Sequence, residues 1–302
     1  MKKSQTITKE YKPPKVSRML KAFEHLDEQI NTEITGQFGQ NVIITSGDVT
    51  IKNSELDCEF TVDFDDDTEA DEAEIIIFNL TDQTINAIKN EVTITAGYGN
   101  DTGIIFSGSV TGKKTYRDGN DKITEIRAVD SLRRQNTEIE SISYAAGTKA
   151  SYILKDLCCR VGLPIAAFSI AREYDYTDET TVDGSLSDNI QQYAEVCGVS
   201  AYVCKGKLYV RSLKDGDNTR FRLSSDTGLL SVSEFEKKTK TKEYGEETVK
   251  GCQVKCLLQH RMQTASIIEL DSRNFKGRFR VKSGSHEYNG TDFITTAKII
   301  QA

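Results

Sequence analysis

The sequence predicts a mainly β protein with an α+β insertion, and three observations carry that expectation. Leu56, Cys58, Phe60 and Val62 alternate with Asp57, Glu59, Thr61 and Asp63, a period of two that places one strand face in a core and the other in water. Short runs rich in Val and Ile recur toward both ends of the chain, punctuated by turn residues such as Asp118-Gly119-Asn120 and Asn289-Gly290. Between them, two segments switch to helical spacing and each ends in Gly before an apolar strand. The expected division is an N-terminal arm and helix over 1–36, a first β domain over 37–135, an α+β middle domain over 136–219 and a second β domain over 220–302.

Each element follows from local chemistry. Pro13-Pro14 forbids helix within a polar arm over 1–15, whereas Met19, Phe23, Leu26 and Ile30 lie at helical spacing over 16–30. Strands are expected at 41–45, through "ELDCEFTVDF", and at 74–78, 91–96, 103–110 and 122–129. A helix over 81–90 carries Ile85 and Ile88 on one side, with Asp82 at the positive end of its dipole. In the middle segment Ile190, Tyr193, Ala194 and Cys197 form one apolar stripe. Gly147 and Ile153 match Gly184 and Ile190 in a weak internal repeat, and "SAYVCKGKLYVRS" reads as a hairpin turning at Lys205-Gly206. After a hydrophilic link, "KDGDNTR", the strands "QVKCLLQH", "ASIIELDS", "GRFRVKSGSHEY" and "TDFITTAKIIQ" complete the chain.

Composition narrows the function. A length of 302 residues allows two or three cores, and 37% hydrophobic with 28% charged residues implies much wetted surface, of the kind an interior channel would add. Acidic residues exceed basic ones by 46 to 39, a formal charge of −7, which disfavours a surface built to grip phosphates. The basic start lacks the apolar region of a secretory signal, and no apolar run is long enough to span a membrane. Seven cysteines at spacings that fit no disulfide framework point to a reduced compartment, hence assembly in a cytoplasm.

Asp63, Asp65, Asp67, Glu69 and Glu74 fall at positions 1, 3, 5, 7 and 12 of a calcium-loop pattern, but Thr68 stands where the sharp turn needs Gly and the flanks are strands. The segment therefore reads as an acidic solvated loop, with a calcium-dependent adhesive module as a competing reading that Asp65→Asn with Asp67→Asn would test. Cys252, Cys256 and His260 are spaced by four, which in a strand sets them too far apart for one zinc, so buried thiols are expected. Cys158-Cys159 on a helix faces core and surface in turn. His25, His260 and His286 lie in no hydrolase motif, and no nucleotide-binding fingerprint occurs, so neither catalysis nor a cofactor has support.

One resemblance spans most of 37–302. "AEIIIFNLTDQTINAIKNEVTITAGYGNDTGIIFSGSV" followed by "RDGNDKITEIRAVDSLRR" carries Phe78-Asn79-Leu80, Ala96-Gly97-Tyr98, Phe106-Ser107-Gly108 and Ala128-Val129-Asp130 in order. It resembles the first tube domain of phage baseplate hub proteins, the family of the T4 hub, late control protein D and PBSX-type tail hubs. "GCQVKCLLQHRMQTASIIELDSRNFKGRFRVKSGSHEY", with Val254 to Leu258, Ser266, Ile268, Leu270, Gly277, Phe279, Val281 and His286, is similar to the second tube domain.

The resemblance implies two related β-barrel-like tube domains flanking the α+β domain, and a homotrimer whose pseudo-sixfold ring joins the tail tube protein to a central spike protein. Other baseplate subunits are further partners, and DNA or a tape-measure protein passes only in transit. No metal, cofactor or membrane is implied. The location would be the baseplate of a virion or bacteriocin-like particle, after assembly in the host cytoplasm. Leu80, Ile85, Ile88 and Tyr98 become candidate subunit-interface residues, the helix packing beside its own sheet or on a neighbour. The helix at 16–30 and the absence of an appended spike or hydrolase near 302 depart from the pattern. The alternative is a tail-associated cell-wall hydrolase or carbohydrate-binding tail protein.

Overall fold

The computed structural model describes residues 39–302 apart from 68–69, 131–137, 205–206, 213 and 242. The expected arm and helix over 1–36, the Lys205-Gly206 turn, and Thr68 and Glu69 of the acidic loop lie outside the described residues.

The first half contains β1 (Gln40–Ser46), β2 (Val49–Lys52), β3 (Cys58–Phe64), β4 (Glu72–Phe78), α1 (Asp82–Ala87), β5 (Glu91–Tyr98), β6 (Asp101–Asp118) and β7 (Asp121–Val129). The alternation expected around Phe60 is present: Cys58, Phe60, Val62 and Phe64 are buried, and Thr61 and Asp63 are exposed. Helix α1 ends earlier than expected. Thr81 caps it by accepting the Thr84 amide at 3.1 Å, but Ile88 has already turned extended. The β5–β6 hairpin admits only Gly at position 97, where a Cβ would lie 2.1 Å from the Asp101 carbonyl oxygen.

The middle segment holds β8 (Glu138–Tyr144), α2 (Ala150–Arg160), β9 (Ile165–Phe168), β10 (Thr180–Ser185), α3 (Leu186–Val196), β11 (Val199–Cys204) and β12 (Lys207–Ser212). Its own core joins Ile153, Leu154 and Leu157 of α2 to Ile190, Tyr193 and Ala194 of α3, over the sheet β11-β12-β9. The repeat noted in the sequence thus corresponds to two helices that pack on each other.

The last part contains β13 (Asp217–Ser224), a 3-10 turn (Ser225–Thr227), β14 (Leu229–Thr241), β15 (Gly245–Leu257), β16 (Ser266–Asp271), β17 (Lys276–Tyr288) and β18 (Phe293–Gln301). Asp217 to Arg220, expected as part of a hydrophilic link, is instead the start of β13, held by its parallel ladder with β16.

Strand order reveals a duplication. The first half runs β3-β4-β7-β6-β5-β1 and the last part β14-β15-β18-β17-β16-β13, so the same sequence of strands adopts the same lateral order twice. The four ladders from β3 to β5 and from β14 to β16 are all antiparallel. Both long central strands bulge at the same register, between Val110 and Gly112 in β6 and between Val281 and Ser283 in β17. The copies diverge at the outer strand, where β1 is antiparallel to β5 but β13 is parallel to β16. They also diverge where α1, between β4 and β5, is replaced by a loop over 258–265 between β15 and β16.

Candidate assembly interface

The two copies meet strand to strand. In β17, Lys276 to Arg280 pair with β16, and Gly284 to Tyr288 pair on the same side with β3, in the register Phe64↔Gly284, Val62↔His286 and Phe60↔Tyr288. Thirteen of the described strands therefore form one sheet. The seam is apolar and aromatic: Phe60 meets Tyr288 at 5.9 Å between centroids, and Phe64 meets the His286 ring at 4.9 Å. His286 is fully buried; its Nδ1 lies 2.8 Å from Thr295 Oγ1, and burial pushes its pKa down to about 3, so it is neutral. Tyr98 crosses the same boundary. Its hydroxyl donates to the Phe293 carbonyl at 3.1 Å, and its ring packs edge-on against Phe293 at 5.1 Å.

A buried charge cluster fixes the second contact. Asp66, just past β3, accepts from Arg280 Nη1 at 2.8 Å and from Lys282 Nζ, while Arg280 also donates to Ser200 Oγ at 3.0 Å and the Asp215 carbonyl at 2.9 Å. Burial works against the Asp66 carboxylate, but Lys282 and Arg280 outweigh it and hold its pKa below the usual range. One guanidinium thus ties the first copy, the second copy and β11 together. This corrects the expectation of a solvated acidic loop. Asp66 is 3% exposed. Burial also lifts Asp65 to about 7 and lifts Asp71, which lies beside Asp130, to about 8. No group of three or more potential metal ligands converges among the described residues.

The remaining sequence candidates separate. Cys252 and Cys256 are buried in the last core, and the Cys256 thiol contacts Met262 Sδ and the Thr295 carbonyl, each at 3.6 Å. His260 instead faces the first copy, its Nε2 3.9 Å from Asp101 Oδ1, so the spaced row does not come together. Cys158 is buried and Cys159 exposed on α2, as their adjacency implied. A groove of about 1080 Å³ between the copies is lined by Tyr98, Asp101, Leu257, Gln259 and Asp271, and its Asp271 carboxylate is held by Arg222 and by Lys276 at 3.0 Å.

Leu80, Ile85, Ile88 and Tyr98, expected at a subunit interface, are all buried in the chain's own first core, together with Leu258, Tyr288 and Phe293 of the second copy. The apolar side of α1 is satisfied internally, which leaves the helix's other residues to face outward. What the chain presents instead are two strand edges. Beyond Ser109, β6 pairs with β7 alone, and β14 pairs with β15 alone. Both segments are largely exposed, and neither edge is covered by another strand among the described residues. Sequence reasoning missed them because neither sustains an alternation of apolar and polar residues through its charged stretch, Lys113 to Arg117 in one and Glu234 to Lys240 in the other.

The model of one family, baseplate hub gp41, matches residues 17–274. No curated protein matches by sequence. Among solved structures, the 43 kDa tail protein of prophage MuSo2 from Shewanella oneidensis superposes with a TM-score of 0.57 at 7% identity, covering 87% of this chain and 97% of that one. The tail protein from Neisseria meningitidis MC58 gives 0.57 at 8% identity, covering 88% and 97%. The E. coli c3393 protein gives 0.53 at 9% identity over 86% and 76%; it is described as a type VI secretion component with structural similarity to the T4 tail proteins gp27 and gp5. At such identities the likeness is one of fold.

Proposed function

The chain belongs to the baseplate hub gp41 family and is a structural protein of the phage tail baseplate, and from that premise we propose that three copies close into a ring joining the tail tube to the central spike. The observation that carries this reading is the duplicated strand order, which gives one chain two equivalent segments. Three chains then supply six such segments, so a sixfold tube can meet a threefold spike without a mismatch in number. Two different edges on one chain suit a head-to-tail contact, which closes as a ring when its rotation permits.

The partners in this reading are two further copies, the tail tube protein, the central spike protein and neighbouring baseplate subunits. The ring sits in the baseplate of a phage or bacteriocin-like particle after assembly in the host cytoplasm. DNA or a tape-measure protein passes through it, and a chain of formal charge −7 repels a passing polyanion rather than retaining it. The work is done by binding geometry, with no covalent step.

Native mass measurement of the chain, alone and mixed with its tube and spike neighbours, tests the proposal. A complex containing three copies is expected, together with no dye release from labelled peptidoglycan. A stable dimer, or six copies in one ring, would overturn it.

A further inference from the structure

Building on the ring reading, we propose that the free half-edge of β6, Lys113 to Arg117, pairs antiparallel with the outer edge of β14, Val232 to Glu236, in a second copy of the chain. The register is Lys113↔Glu236, Thr115↔Glu234 and Arg117↔Val232.

The β3–β17 seam inside the chain is the template. The duplicated ladders transfer its register without adjustable choices. The shared bulges align β7 with β18, Ala128 with Ile299 and so Ile126 with Ala297, and the partners of the latter two, Ile75 and Val254, align β4 with β15. Lys113 then takes the place of Gly284, since each lies opposite one of those aligned residues, Ile126 and Ala297. Thr115 and Arg117 take the places of His286 and Tyr288 in the same way, opposite Thr124 and Lys122 where the other copy has Thr295 and Phe293. On the other strand, Phe60 lies opposite Ile75 and Val232 opposite Val254, so Val232 stands for Phe60 and Glu234 for Val62. Glu236 follows two residues on, where Phe64 stands in β3.

No strand among the described residues takes, on either external edge, the place that a strand fills in the internal seam. β17 has β3 along Gly284 to Tyr288, whereas β6 has no strand along Lys113 to Arg117. β3 has β17 on its outer side, whereas β14 has none among the described residues. An uncovered edge recruits another strand unless it is protected.

Charge favours this partner. The β6 half-edge carries Lys113, Lys114 and Arg117, while the β14 segment carries Glu234 and Glu236, all exposed. In the internal seam the same positions hold Gly284, His286 and Tyr288 against Phe64, Val62 and Phe60. The difference has a physical reason. An internal seam closes as the chain folds and can be apolar, but an external seam must remain soluble until another copy arrives. Cationic and anionic segments suit that role, and the like charges of Lys113, Lys114 and Arg117 disfavour β6–β6 pairing. The local commitments are light: Lys113 donates to the Ile85 carbonyl at 2.6 Å, and Glu236 meets Lys250 at 3.1 Å on the surface.

Cysteine cross-linking tests the register, because directly opposed strand residues lie about 4.5–5.5 Å apart at Cα, within disulfide range. In a Cys159→Ser background, Thr115→Cys combined with Glu234→Cys is oxidised and read by non-reducing electrophoresis and native mass. Interchain disulfides are expected in the double variant and in a mixture of the two single variants. Neither single variant alone, nor Thr115→Cys with Glu236→Cys, should cross-link to the same extent. Lys113→Glu and Glu236→Lys should each weaken association at least tenfold, and their combination should restore it. Three-copy complexes that lack the disulfide would overturn this edge pairing while leaving the ring. Cross-linked open chains of mixed length would support the pairing and overturn the ring. Single chains without any cross-link would overturn both.

Discussion

Asp66→Ala should be among the most damaging single substitutions in the protein. The Arg280 side chain is 0% exposed, and among the described residues Asp66 is the one carboxylate paired with it, at 2.8 Å. Truncating Asp66 leaves a sealed guanidinium with its bonds to Ser200 and the Asp215 carbonyl and its place over the Tyr202 ring, but with no counter-charge among the described residues. Removing one partner of such a buried pair costs about 3–5 kcal/mol, a large share of a total stability of about 5–15 kcal/mol. Lys282 does not set that cost, because its side chain is 15% exposed and its ammonium can swing to solvent. Urea unfolding followed by tyrosine fluorescence and by circular dichroism measures the loss. Asp66→Leu with Arg280→Met should recover most of it, since an apolar pair needs no compensation for desolvation. A single variant within about 1 kcal/mol of the parent, or a double variant no better than the single, would refute the assignment of Asp66 and Arg280 as the linchpin of the three cores.

Three further outcomes follow from the same geometry. Asp65 and Asp71 have folded pKa values raised to about 7 and about 8, so the stability linked to their neutral forms is present at low pH and lost as pH rises through those values. His286, lowered to about 3, acts oppositely only below its ordinary 6.5; the urea midpoint should therefore fall from about pH 4 to about pH 8, levelling off above that, and Asp71→Asn should flatten the fall. Tyr98→Phe should cost only about 0.5–1.5 kcal/mol in the same assay, because the Phe293 carbonyl keeps its bond from the Leu258 amide at 2.9 Å. Gly284→Val should cost about 1–3 kcal/mol and speed amide exchange across Phe60 to Phe64, since a Cβ there would lie 2.3 Å from the Thr296 carbonyl oxygen and 2.8 Å from the Phe64 ring.

What the sequence disclosed follows from what burial imprints on it. β3 was legible because Phe60 and Val62 face a core while Thr61 and Asp63 face water. α3 was legible because Ile190, Tyr193 and Ala194 bury one stripe. Apolar spacing shows that a residue is buried but not against what, which is why Ile85 and Ile88 read equally as packing beside their own sheet or on a neighbour, and the fold places them in the chain's own core. Asp66 left no local signal, since it sits between the acidic residues of a calcium-like spacing and its cations lie in β17. The duplication did leave one: Asp118-Gly119-Asn120-Asp121-Lys122-Ile123-Thr124 is echoed by Asn289-Gly290-Thr291-Asp292-Phe293-Ile294-Thr295, with both glycines at positive φ and both threonines at 0% exposure.

Two of the strand segments that escaped notice share one property. The second half of β6, expected to end near 110, runs to Asp118, and β14 was not anticipated at all. Around Lys113 to Arg117 and Ser233 to Glu236 the single chain leaves nearly every side chain wet, so no period-two pattern is imposed. A strand whose partner belongs to another molecule is selected for solubility before assembly and for pairing after it. Both demands favour charge over alternation. The edges that sequence periodicity could not find are thus the ones best suited to receive a second copy, and the apolar β3–β17 seam shows the geometry that such a contact would repeat.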